Sequence, residues 1–461
     1  MSEAERSAGV YRPAEASPGR AINALAVLAI AFLAFLAGSY VMYQKLYPAE
    51  ALRRAFMGGH ALYDRLTGYN DPFRTAFWNP ARTEERGVLR HDRARAQPGL
   101  TLYSSGHDHK AFLIDMKGRV AHEWSLPFSR VWDESAAVKS PRADPFIYIE
   151  KAHVFPNGDL LALYTAIGDT PWGYGLVKMD RNSNVIWKYL GHAHHDFDVA
   201  ADGSIYVLTH EILDAALPGY PDLATPRIDD FVVKLSPVGQ EQEKIWLSGA
   251  FAKSPFGRRL HFVPWHVHAS NGDYLHANSV QVLKAAVPGI PQSRPGQVLV
   301  SLREVSTVAL ADMESGEIPW AMSGSWLRQH AARFLGNGHL ILFDNEGNPG
   351  RHGVSRVLEL DPKTQQVAWS YAGRDGEPLE SVTRSSQSRL ANGNTLIVES
   401  EAGRIIEVTP KGDIVWEFVN PVRDPRGERV PIVFWVERLS RDKSFTPEFR
   451  RQLDRSLRSR K

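Results

Sequence analysis

With 54 basic against 52 acidic residues among 461, the chain carries a net charge of +2, which excludes an extended polyanion-binding surface and gives no reason to expect nucleic acid as a partner. It has no cysteine, so disulfides, thiolate metal sites and cysteine nucleophiles are ruled out together. A chain of this length holds two or three ordinary domains or one large closed β-structure, and internal repeats decide between them.

Behind a polar tail at 1–20, Ala21 to Tyr43 is a run of 23 residues without a charge. At about 1.5 Å per residue it is long enough to cross a hydrocarbon layer of roughly 30 Å as one helix. A cleaved signal peptide has a shorter apolar region of about 7–15 residues, so 21–43 is expected to be a membrane anchor. Flanking charge does not orient it: Arg6, Arg12 and Arg20 on one side balance Lys45, Arg53 and Arg54 on the other. Residues 44–98 show no clean periodicity and are expected to form a juxtamembrane linker.

From Gly99 onward one unit recurs: an apolar strand, a turn of Asp type, then a strand with a single tryptophan. Its six copies run Ala111 to Trp124, Leu176 to Trp187, Phe231 to Trp246, Val308 to Trp320, Val357 to Trp369 and Ile405 to Trp416. Six copies predict an all-β, six-bladed β-propeller over 99–440, following the N-terminal transmembrane helix. A four-stranded blade needs an inner hairpin between successive tryptophans. Five are visible, beginning near His153, His195, His276, His330 and Ser385. The first blade then lacks one strand, and Val433 to Leu439 is the segment left to supply it, closing the ring beside Leu100 to Ser104 and removing an open edge. Residues 441–461 carry 8 basic against 3 acidic residues and are expected to be a solvated, partly helical basic tail.

The inner hairpins carry the chemistry. Asn337-Gly338, Asp202-Gly203 and Asn392-Gly393 each lie between apolar runs and predict tight two-residue turns. His330, His195 and Ser385 each stand seven residues before such a turn, and so at the strand end opposite it. In the blade of His276, Asp273 to Leu283 is expected to be the innermost strand and Pro295-Gly296 to end its long turn. Arg303 then leaves the second strand where His276 starts the first, and His276, Asn278 and Arg303 share one mouth. Innermost strands line the axis of a propeller, so His195, His276 and His330 are expected to converge on it. No metal ligands are assigned. His192, His194, His195 and Asp196 are close in sequence, but neighbouring strand residues point to opposite faces, and the arginine favours an anion over a cation. His192, His194, His266 and His268 are expected to be rim or packing residues.

Gln329-His330 with Leu335-Gly-Asn-Gly338 and Leu342-Phe-Asp-Asn345, Asp273-Tyr-Leu-His-Ala-Asn-Ser279, and Ser301-Leu-Arg303 together resemble the bacterial arylsulfate sulfotransferase family over roughly 99–440. The resemblance implies a six-bladed propeller that passes a sulfuryl group from an aryl sulfate ester to a phenolic acceptor through a sulfated histidine, with no nucleotide donor and no cofactor. It implies His330 as nucleophile, His195 as a further site histidine, and His276, Asn278 and Arg303 as sulfate-binding residues; Ser385, from its interval alone, is a weaker substrate-binding candidate, since hydroxyls at strand starts usually satisfy backbone groups. It also implies a propeller on the periplasmic side of the inner membrane. Consistent with it, the chain has no glycine-rich strand-to-helix loop of the kind that cradles nucleotide phosphates. Two other classes stay open at this point. One is a non-catalytic binding propeller. The other is a quinone-cofactor dehydrogenase, suggested by Ala311 to Trp320.

Overall fold

The computed structural model describes residues 18–44, 46–49, 51–52, 55–56, 59, 70–169, 171–263, 272–350 and 353–459. The chain divides into two units, Met1–Asn70 and Asp71–Lys461. In the first, a 26-residue helix runs from Pro18 to Tyr43. Its stretch Asn23–Tyr43 is long and apolar enough to cross a membrane, and none of it is buried against protein. No other described helix meets that test.

The second unit is a ring of six antiparallel sheets. Blade one joins Val433–Leu439, Leu100–Ser105, Lys110–Ile114 and Val120–Ser125, with Leu102 opposite Glu437, so the end of the chain closes the ring beside its beginning as expected. The innermost strands of blades two to six are Ile147–Val154, Ala193–Val199, Ala277–Val282, His330–Phe334 and Ser386–Arg389. Each of the six repeated tryptophans lies on the outermost repeat strand of its blade. Their recurrence has an inter-blade cause. Trp124 Nε1 donates to the Gly158 carbonyl in the next blade's turn at 3.0 Å, Trp369 Nε1 to Pro410 at 2.9 Å, and Trp416 Nε1 to Met116 at 3.1 Å. A Cβ added at Gly239 would meet the ring of Trp187 at 2.5 Å. Between blades the apolar faces interlock, as where Leu100, Leu102 and Leu113 of blade one join Leu160, Ala162 and Tyr164 of blade two in one core. Burying each such large side chain stabilises the ring by about 1.5–3 kcal/mol.

The hairpin turns differ from expectation in type. At Leu335–Gly338 the Gly338 amide donates to the Leu335 carbonyl at 2.9 Å, and of the last two turn residues only Gly338 has positive φ, at 85°. This is a type I turn closed by a left-handed glycine rather than a two-residue turn with two left-handed residues. Asn337 instead accepts the His339 amide on Oδ1 at 3.0 Å, a local bond that a left-handed asparagine is not needed to make. Blade two also departs. His153 lies near the far end of its strand, and Glu150 holds the position seven residues before Asn157-Gly158.

The ends of the ring are more structured than the sequence suggested. Within the segment expected to be linker, Trp78–Pro80 pairs with Arg429–Pro431, and Gly87–His91 adds a fifth strand to blade six along Ile414–Val419. In the expected basic tail, helix Pro447–Ser459 buries Phe449 and Leu453 in the core of blades one and two. Phe449 packs edge-on against His122 at 5.3 Å, and its arginines occupy the outer face.

Candidate active site

At one end of the channel the innermost strands are irregular at matching places. Pairing slips between Ile149 and Lys151, Ala193 and Phe197, Ala277 and Ser279, His330 and Arg333, and Val433 and Trp435. A bulge inserts an extra residue and re-aims its neighbours. Here the cost shows in the backbone: His195, His276, Ala331, Arg384 and Ser385 take φ of 55°, 50°, 52°, 58° and 73°. Such left-handed conformations are disfavoured for side chains with a Cβ and cluster at functional sites.

A small pocket opens there. His195, Asn278, His330 and Ser385 line it, as the sequence predicted, together with Glu150, Asp196, Ala331, Arg384, Phe434 and Trp435. His276 is brought to the same cluster, its ring 5.0 Å from that of His195, which in turn is 6.5 Å from His330. Arg303 stands behind them, its amide donating to the His276 carbonyl at 3.3 Å. Its guanidinium holds Glu304 at 2.5 Å, and its Nε has no hydrogen-bond partner among the described residues.

The orientation of His330 follows from its partners. Nδ1 lies 2.8 Å from Asn345 Oδ1 and 3.0 Å from the Arg328 carbonyl. Asn345 is itself oriented, because its Nδ2 donates to the carbonyls of Ser381 and Arg384 at 2.7 and 2.9 Å. Two acceptors around Nδ1 require the proton to be there, which makes Nε2 the lone-pair nitrogen. Burial, then the nearby charge of Arg303, pulls the His330 imidazole down to about 3, so it is neutral at pH 7. His276 Nδ1 meets Asp273 Oδ2 at 2.5 Å, which places its proton on Nδ1 by the same logic. His195 is held well below its ordinary range by burial and then by His276 and its other neighbours.

The second half of the lining is of another kind. Arg384 pairs with Glu150 and lies over the rings of Phe77 and Phe434 at 4.9 and 4.8 Å. Below, Asp196 bridges Lys151 at 2.5 Å and Arg333 at 2.6 Å. Ser385 Oγ accepts the Ser400 amide at 3.1 Å, so part of its capacity is spent on backbone. Asn278 gives Nδ2 to the Gln329 carbonyl at 2.8 Å, while its Oδ1 is unpartnered among the described residues.

Several of these residues escaped sequence reasoning. Glu150 obeys the seven-residue interval and was findable by it. Arg384 and Asp196 adjoin residues that were singled out. Trp172, stacked on His276 at 5.6 Å and edge-on to His195 at 5.8 Å, sits in a loop and carries no pattern. The expectation that His194 and His195 face opposite ways is corrected: their Nδ1 atoms approach to 2.8 Å, because the left-handed turn at His195 breaks the alternation. His192 is half-buried at the rim, near the Gly173 carbonyl. His266 and His268 lie outside the described residues.

A family model described as arylsulfotransferase (ASST) matches residues 151–421. No curated protein matches the chain. Among solved structures, a protein of unknown function from Bacteroides caccae is similar at 14% identity, with 74% of this chain and 98% of that one covered and a TM-score of 0.46. A catalytically inactive virginiamycin B lyase from Staphylococcus aureus is similar at 9% identity, covering 74% of this chain and 89% of that one, TM-score 0.36. The WD40 β-propeller domain of Doa1 is similar at 8% identity, covering 74% and 79%, TM-score 0.36.

Proposed function

The chain belongs to the arylsulfotransferase (ASST) family, and from that premise we propose that it transfers a sulfuryl group from an aryl sulfate ester to a phenol by way of a sulfated His330, without a nucleotide donor. The observation that supports this reading is the pair of carbonyl-type acceptors on His330 Nδ1, which leaves the Nε2 lone pair free beside the cavity.

In the first half-reaction the Nε2 lone pair attacks sulfur, an S–N bond forms, and the S–O bond to the aryl group breaks. The departing phenolate takes a proton from the imidazolium of His276, whose Nδ1 proton faces Asp273, while neutral His195 lies between it and His330. The second half-reaction is the reverse with a new phenol. Its proton goes back to the imidazole, its oxygen attacks sulfur, and the S–N bond breaks to restore His330. In both, negative charge builds on the oxygens around sulfur. Arg303, whose charge already acts on His330, and Asn278 supply fixed donors for that charge, the preorganised stabilisation that lowers such barriers most. The partners on this reading are small molecules, an aryl sulfate and a phenol, with no cofactor.

Incubating the protein with an aryl sulfate alone, quenching at alkaline pH and mapping peptides by mass should find one added SO₃ on the peptide bearing His330. A phenol acceptor should then remove it. Labelled peptide elsewhere, or turnover with no labelled histidine, would reject the mechanism. On the same reading, helix Pro18–Tyr43 anchors the chain in the inner membrane with the propeller on the periplasmic side. Protease added to intact spheroplasts is expected to digest the propeller, and protection would reverse that topology.

A further inference from the structure

Three side chains beside the cavity have no part in the transfer chemistry. His194, His210 and Asp230 come from the first, second and third strands of blade three, and one ligand atom of each lies within 4.8 Å of the others. Strand register causes the convergence. His210 stands directly across from Asp230, and the His210 amide donates to the His192 carbonyl at 3.1 Å, which brings His194 alongside. All three residues are at most 2% exposed.

Their bonding is incomplete. Neither ring nitrogen of His210 has a hydrogen-bond partner among the described residues, and neither does Nε2 of His194. Asp230 accepts the Ala277 amide on Oδ2 at 2.7 Å, while Oδ1 faces His194 Nε2 at 3.4 Å. Buried polar groups are almost always satisfied, and an orphaned one costs about 1–3 kcal/mol. A proton shared between His194 and Asp230 would satisfy those two and leave both nitrogens of His210 bare. One divalent cation engages His194 Nε2, the Asp230 carboxylate and one of the two His210 nitrogens together.

We propose that His194 Nε2, one ring nitrogen of His210 and the Asp230 carboxylate bind a zinc-type divalent cation. Two imidazoles and a carboxylate are a borderline-soft donor set that suits zinc in tetrahedral coordination, with a fourth position for water. The two imidazoles are stacked with centroids 4.3 Å apart and planes 16° from parallel. Donors on one tetrahedral zinc stand about 3.3 Å apart, so ligation tilts the rings and draws in donors that now lie within 4.8 Å of one another. Trp172 walls the group, edge-on to His210 at 4.9 Å, and half-buried His192 lies 5.7 Å from His210 on the solvent side. With Nε2 on the ion, His194 keeps its proton on Nδ1, which faces His195 Nδ1 at 2.8 Å. The ion thereby orients a cavity histidine from outside the cavity, as outer partners of metal ligands commonly do in the opposite direction.

The test uses the full chain purified in detergent from cells grown with added zinc, dialysed against zinc-free buffer and assayed by plasma mass spectrometry. About one zinc per chain is expected in the unaltered protein and in His330→Ala, against less than roughly a tenth in Asp230→Asn and His210→Ala. Because the alanine variant could disturb blade three, His210→Cys keeps a ligand at that place and should retain the metal. Zinc should also raise the Tm of the unaltered protein and leave that of Asp230→Asn unchanged. Equal zinc in the unaltered protein and in Asp230→Asn with native circular dichroism would overturn the proposal. Metal content is read without turnover, so its failure is distinguishable from failure of the sulfuryl-transfer reading.

Discussion

Blades three to five and blades six, one and two offer the channel mouth the same backbone irregularity and fill it with different chemistry. In the first half the residues at or beside the slip are His195, His276 with Asn278, and His330. Burial keeps His195 and His330 uncharged there. In the second half they are Arg384 with Ser385, Phe434 with Trp435, and Glu150, and the charges are already paired with one another beneath aromatic rings. The comparison separates two things a propeller supplies. A pairing slip in five inner strands, and the left-handed Arg384 and Ser385 just before the regular sixth, set where side chains meet, and residue type decides what the meeting point offers. Neutral nitrogen lone pairs are available to attack an electrophile, whereas a closed ion pair holds shape and excludes water.

The largest expected effect comes from breaking the reactive half. On the proposed mechanism His330→Ala should lower transfer about 10⁴-fold or more, since neighbours do not replace a lost covalent step. Radiolabelled sulfate transfer between phenols measures it, and near-normal transfer by a folded variant would end the distinction between the halves. Breaking the ion-paired half instead should register as stability. Glu150→Ala leaves Arg384 buried without its partner and should cost about 3 kcal/mol in urea unfolding. A change below roughly 0.5 kcal/mol would mean the pair is not structural.

A smaller effect should follow from pH. The unfolded chain protonates histidine near its ordinary value of 6.5, whereas folded His330 resists protonation down to about 3. The unfolded state therefore binds more protons in that window, and stability falls as pH drops from 6.5 toward 3. His330→Gln should flatten part of this fall when urea midpoints at pH 7 and pH 5 are compared, and an unchanged slope would count against the burial of a neutral imidazole. Least affected should be Ser385→Ala. It removes one hydrogen bond to the Ser400 amide, worth about 1 kcal/mol, with a few-fold change in transfer at most.

Much of the candidate site was legible because it repeats. His195, His330 and Ser385 shared one spacing from a glycine turn, and the structure puts all three on one cavity. The same spacing also marks Glu150, while His153 lies near the far end of a strand that runs on to Val154. His276 and Arg303 were joined correctly across a long proline-rich loop, since leaving and starting ends of paired strands must coincide. Trp172 and Phe434 were not legible, because a loop and a closing strand carry no periodic signal that points inward.

Elements whose cause is local can be read from the residues alone. A charge-free run specifies an apolar helix, glycine specifies the left-handed residue of the inner hairpin turns, and a tryptophan on each outer repeat strand counts the blades, four of the six lying against the turn of the next. Ring closure can be read the same way, since a missing strand at one end and a spare one at the other admit one pairing. Features that depend on distant neighbours exist only in the closed ring. The slip at His195 set His194 against His195 instead of on the opposite face. The strand at Gly87–His91 and the helix at Pro447–Ser459 found their places only because finished blades offered an edge and an apolar groove. Likewise the neutrality of His330 is a property of its burial beside Arg303 and of the carbonyls around Nδ1, none of which exists until six sheets close on one axis.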